Sequence, residues 1–186
     1  LIADTMLAAV TSHLTSRFDS LGNDTKVDIS PTGQPPPELL SPFIGVAAQS
    51  WSLSEENQMA KYTLRIQLKG TIRARPEKTT QYGNSYRSLI NSMELANFAV
   101  FNSKNLMDAM KSLLLSLSSM EAYHLQLTGV FMAETMPLIP QIATPEWFNS
   151  KDQAHQSDRK VGWILTSTIR CPSILVPIDC PIQLTF

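Results

Sequence analysis

An α+β fold, with an antiparallel β-sheet of two long hairpins and helices packed on one face, is predicted by three features of this 186-residue sequence. Strict alternation from Lys61 to Arg75 has the period of two of a half-buried strand. Apolar residues at spacings of three and four, before and after that strand, have the period of amphipathic helices. A second alternating run, Lys160 to Cys171, returns to strand periodicity, so helices and strands are segregated rather than interleaved.

In chain order, Leu7, Val10, Leu14 and Phe18 form the first helical stripe, with Asp4 and Thr5 available as caps. Gly22-Asn23-Asp24 ends it, and Val27 and Ile29 mark a short strand before Pro31, Gly33 and Pro35-Pro36-Pro37 impose an extended loop. Phe43 to Leu53 reads as a strand of small residues, and Glu55, Glu56 and Asn57 as the turn into the long strand. That strand places Tyr62, Leu64, Ile66, Leu68 and Ile72 on one face and Lys61, Thr63, Arg65, Gln67, Lys69, Thr71, Arg73 and Arg75 on the other. Pro76 to Ser85 is polar and turn-like. Two helical stripes follow, Leu89, Met93, Ala96 and Val100, then Leu106, Met110, Leu113, Leu114 and Leu117, separated at Asn102 to Asn105 by a kink or a turn. Tyr123, Leu125 and Leu127 alternate towards Val130 and Met132, with a bulge expected at Gly129. Met136 to Asp158 is long for a connection and reads as a functional or mobile loop. Residues 1–171 are assigned to a single domain and 172–186, with Pro172, Pro177 and Pro181, to a proline-rich C-terminal arm.

Composition narrows the function. Charged residues make up 17% of the chain and the net charge is -1, so overall basicity does not suit it to gripping nucleic acid. No run approaches the roughly 18–20 apolar residues that cross a bilayer, and no membrane association is expected. Cys171 and Cys180 are read as two reduced thiols, with a disulfide between them left open.

No catalytic, cofactor or metal site is expected. GxxxxGK, GxGxxG after a strand, GxSxG and HExxH are all absent, which removes the common nucleotide, hydrolase and zinc-protease readings. His13 reads as part of a solvated helix face and His124 as a cross-strand partner; His155, between Asp152 and Asp158, lies in a polar loop. Two features stand out. Lys61, Arg65, Lys69, Arg73 and Arg75 put five cations on one side of one strand, a candidate surface for DNA phosphates as against a solvated or partner-paired face. Trp147 and Phe148, in a proline-flanked loop, are costly to expose and form a candidate subunit contact.

An N-terminal amphipathic helix, a short strand, a proline-bearing loop, a long hairpin carrying Trp51 and the strand Tyr62-Thr63-Leu64-Arg65-Ile66, then a helix and two further strands: this order, over Leu7 to Arg170, resembles the phage tail terminator family. The resemblance implies a structural virion protein with no catalytic residues. Its subunits form a ring, usually a hexamer, that caps the tail tube and offers the head-joining surface. The implied partners are further copies of the chain, the tail tube protein, a neck or head-completion protein, and DNA passing through the lumen. The implied place is the virion tail or neck, assembled in the host cytoplasm. In such a ring the basic face would border the lumen, and Trp147-Phe148 or the arms would meet neighbours. The helical segment from Leu89 to Asn102, the 136–158 loop and the C-terminal arm depart from the smaller members. Another neck, connector or baseplate subunit is the alternative within the same class. A small enzyme or ligand-binding domain, with a pocket under the 136–158 loop holding His155 and Asp152, Asp158 or Glu146, is the alternative outside it.

Overall fold

A computed structural model describes residues 2–74, 79–116, 126–136, 141–143 and 161–178. The chain runs α1 (Ile2–Ser20), β1 (Lys26–Ile29), β2 (Phe43–Glu56), β3 (Met59–Ala74), α2 (Thr79–Phe101), α3 (Lys104–Ser116), β4 (Gln126–Thr128), β5 (Met132–Thr135), β6 (Gln141–Ala143), β7 (Val161–Arg170) and β8 (Ser173–Pro177). These eight strands form one sheet among the described residues.

Strand β3 organises the rest. Its alternation sends Leu64, Ile66, Leu68 and Ile72 into a core where each is at most 3% exposed, worth about 1.5–3 kcal/mol per side chain. On one flank β3 pairs antiparallel with β2, joined through Asn57 and Gln58, both at positive φ. Two consecutive left-handed residues suit a tight hairpin turn because they match the twist of the strands. On the other flank β7 pairs with residues 65–74 and β8 with residues 59–62, end to end. Between them the Cys171 N–H donates to the Leu64 carbonyl at 2.8 Å. Pro172 follows, and with no N–H of its own it interrupts the ladder until Ser173.

This corrects the arm assignment for residues 173–177, while residues 179–186 lie outside the described residues. Residues 173–177 are a strand within the sheet, with Ile174 and Val176 buried. The prolines at 172 and 177 bracket a short apolar run instead of extending it. Beyond β7 and β8 the outer edge is built of three short pieces, β5 and β6 on β7 and β4 on β8, in place of one continuous strand. Gly129, where a bulge was expected, separates β4 from β5 at φ 85°.

The sheet is mixed, which corrects the expectation of a purely antiparallel one. β1 lies parallel to β2, Val27 opposite Ile44. Parallel neighbours need a crossover of about a dozen residues or more, and the proline-rich stretch from Ser30 to Pro42 provides it without a helix. That crossover lies against the odd-numbered face of β3. The Gly33 backbone meets the Lys69 stem and the Gly45 backbone, and Arg73 Nη1 donates to the Pro36 carbonyl at 2.8 Å.

The helices cover the opposite face. Met93 and Leu89 of α2 reach Gly70, Asn97 accepts from Ser167, and Tyr86 meets Trp163 edge-on at 6.2 Å. α1 packs on β1, β2 and both other helices. α2 begins at Thr79, inside the segment expected to be a turn. The break at 102–105 is a turn capped by Ser103, whose Oγ accepts from the Leu106 N–H at 2.9 Å.

At Gly45 the crossover and the sheet meet backbone to backbone: a Cβ there would lie 2.9 Å from the Gly33 Cα and 3.2 Å from the Ser30 carbonyl. Gly45→Ala is therefore expected to destabilise the fold by about 1–3 kcal/mol, read as a lower urea midpoint, and to increase protease cleavage between Pro31 and Pro42. An unchanged midpoint would mean that the crossover yields freely.

Candidate functional site

The basic stripe expected from the sequence is assembled on the odd face of β3, but its members meet four different environments. Lys61 Nζ pairs with Glu56 Oε2 at 3.3 Å across the turn of the β2–β3 hairpin. Arg65 Nε donates to both carboxylate oxygens of Glu134, at 2.9 and 3.0 Å. Lys69 is half-buried against Gly33. Arg73 is 6% exposed beneath the crossover. Arg75 lies outside the described residues, as do Trp147, Phe148, His124, His155, Asp152, Asp158 and Glu146.

The crossover explains why this face is far less open than alternation alone implies. Phe43, Thr71 and Arg73 are all buried on it, and Thr63 shares a 2.7 Å hydroxyl contact with Ser173. Two of the cations have carboxylate partners and a third is buried, so the stripe's pull on a polyanion is partly spent within the chain.

The two ends of Arg73's role separate by mutation. Arg73→Ala removes a buried donor to a backbone carbonyl and is expected to cost about 2–4 kcal/mol of folding stability. Arg65→Gln, at a half-exposed ion pair, is expected to cost about 1 kcal/mol or less. Chemical denaturation of both variants checks the order, and equal losses would show that the crossover does not depend on Arg73.

A second polar concentration was not read from the sequence. His13, assigned to a solvated helix face, instead reaches across from α1 so that its Nε2 lies 3.1 Å from the Ala99 carbonyl near the end of α2. His13, Arg17, Phe98, Asn102, Ser103, Lys104 and Asn105 line an open cleft of about 330 Å³ where the three helices meet. The available signal was the spacing of His13 and Arg17, four residues apart and therefore on one helix face. Nothing local to α1 indicated that the turn between α2 and α3 would come to lie opposite them.

Cys171 is a free thiol, and burial pushes it up to about 12 from an ordinary 9.0. The native state therefore holds the proton over a range where the unfolded chain has lost it. The stabilisation is fully present below pH 9 and is lost as pH rises towards 12, at about 1.4 kcal/mol per unit from this group. In a Cys180→Ser background the thiol is expected to react with disulfide reagents at pH 8 only at the rate of unfolding. The alkaline loss of stability should be shallower in Cys171→Ala. Rapid modification of the folded protein would contradict the burial.

Among the described residues no three His, Cys, Asp or Glu side chains converge as metal ligands, and no helix is long and apolar enough to cross a membrane. No protein-family model and no curated protein matches the chain.

Proposed function

We propose that the chain is a structural assembly subunit that closes into a homomeric ring, acting as a tail terminator: it caps a phage tail tube and offers the surface for head joining. The observation that carries this reading is the pair of exposed apolar edges on opposite sides of the sheet, towards the same end of β3. On the β2 edge Leu53 is 59% exposed; on the β4–β5 edge Val130 is 65% and Met132 47% exposed. The registers put Leu53 and Met132 three residues apart along β3. Leu53 is opposite Tyr62, then Ile174, then Leu127, while Ser50 is opposite Arg65, then Arg170, then Met132.

A ring needs two different, mutually complementary surfaces on each subunit, placed so that repeated contact closes. Beyond Ala48, β2 has β3 as its only strand partner among the described residues, so its outward backbone groups are available there. Edges of this kind pair readily with another chain. A long ribbon with one open edge and an apolar second edge across the same sheet suits head-to-tail contact better than a two-fold dimer. The tail tube, a neck or head-completion protein, and DNA in the lumen are the partners this role brings. Lys61 and Arg65 would reach that DNA only in competition with Glu56 and Glu134.

Light scattering over a concentration series tests the assembly. The native chain should reach about six subunits, either alone or on added tail tubes. Leu53→Lys and Val130→Lys, each at an exposed position, should remain folded monomers. Mixed together they retain one good edge each and should form dimers that do not close. A persistent monomer indifferent to tubes, or a mixture that forms no dimer, would overturn the ring.

A further inference from the structure

We infer that the cleft between the three helices binds a nucleotide unit of single-stranded nucleic acid, its phosphate held by Arg17 and Lys104 and its base stacked on Phe98. The inference stands apart from ring formation and uses none of the same residues.

Among the described residues, the lining of the cleft carries two permanent cations and His13 and no carboxylate. Arg17 and Lys104 have no ion-pair partner among the described residues, unlike Lys61 and Arg65 on the sheet. Cations that lack counter-ions and face one concavity favour a polyanion, because each phosphate contact releases condensed counter-ions. Phe98 is 58% exposed on the same lining, although its neighbours Asn97 and Ala99 are buried. An aromatic ring left open beside cations is the combination by which proteins hold unpaired bases without sequence preference.

Asn102 and Asn105 add amide groups, although the Asn102 Nδ2 is already donated to the Phe98 carbonyl at 3.2 Å. His13 is held in place by the Ala99 carbonyl, which fixes its ring against the wall of the cleft. The volume of about 330 Å³ is at the lower end for small-molecule sites, of order 300–1,000 Å³, and matches one nucleotide rather than a folded partner. An acidic peptide would use the cations but would leave Phe98 without a role.

Fluorescence anisotropy of a labelled single-stranded dT hexamer on the full chain tests this. Phe98→Ala should weaken binding about tenfold, and Arg17→Gln or Lys104→Gln about three- to tenfold each. Two phosphate contacts predict that raising salt from about 50 to about 200 mM weakens the native protein about sevenfold beyond any loss in the Arg17→Gln/Lys104→Gln double variant. Unlabelled dTMP distinguishes the source: displacement of the hexamer identifies a free nucleotide or strand end, and its failure to compete identifies an internal stretch of strand. Binding that is unchanged in the double variant overturns the proposal. So does a hexaglutamate peptide that binds as tightly as dT hexamer and is insensitive to Phe98→Ala, which would make the cleft an acidic-peptide site.

Discussion

Strand β3 must satisfy two faces and two edges at once, and most of the structure follows from how it does so. Its even-numbered side chains require an apolar cover, which the helices supply. Its edges require hydrogen-bonding partners, supplied by β2 on one flank and by β7 and β8 in line on the other. Its odd-numbered side chains are polar and cationic, and in an ordinary two-layer α+β domain they would face water. Here the proline-rich crossover lies on them, so the strand is buried on both sides over residues 70–74 and partly open over residues 59–62. The contrast between the ends of one strand separates a rigid body from an exposed ribbon.

Proline is the second constraint. It leaves the crossover without helix or strand, closed only by two tight turns in which the Gly33 N–H donates to the Ser30 carbonyl and the Leu39 N–H to the Pro36 carbonyl, and it offers carbonyls without matching N–H groups. The Pro36 carbonyl is the acceptor that lets Arg73 be buried at acceptable cost. At the other end, Pro172 breaks one long antiparallel partner of β3 into β7 and β8. The same residue type thus covers one face of the sheet and divides one of its strands. In neither place does it produce a free-standing arm among the described residues.

Periodicity made the helices and β3 legible because their signals are local: the spacing of Leu7, Val10, Leu14 and Phe18, or the alternation through Leu64, Ile66 and Leu68, is set by which side of one element meets the core. What was not legible depends on pairs distant in sequence. The parallel placement of β1 follows from where the crossover returns the chain, and no property of Lys26 to Ile29 encodes it. Arg73 and Lys61 look alike in a strand pattern, yet one is covered by Pro36 and the other meets Glu56 at the turn. The apolar run of Ile174 and Val176 is too short to stand out against the prolines on either side of it. The helical junction has no local signal either, since His13 and Ala99 are brought together only by packing.

Charge on this molecule is therefore better judged by its partners than by its density. Counting alone favours β3, with four cations within the described residues, over a cleft with two and a histidine. On β3, however, Glu56 and Glu134 answer Lys61 and Arg65, and desolvating Arg73 commits it to the fold. A polyanion arriving there would have to displace contacts that already exist, and its net gain is the difference between two similar interactions. At the helical junction no carboxylate among the described residues lines the cleft, so an arriving phosphate exchanges only water and free counter-ions for protein. The smaller cluster thus offers the larger difference in free energy, and it does so on the helical side, leaving the sheet edges free for contact between copies.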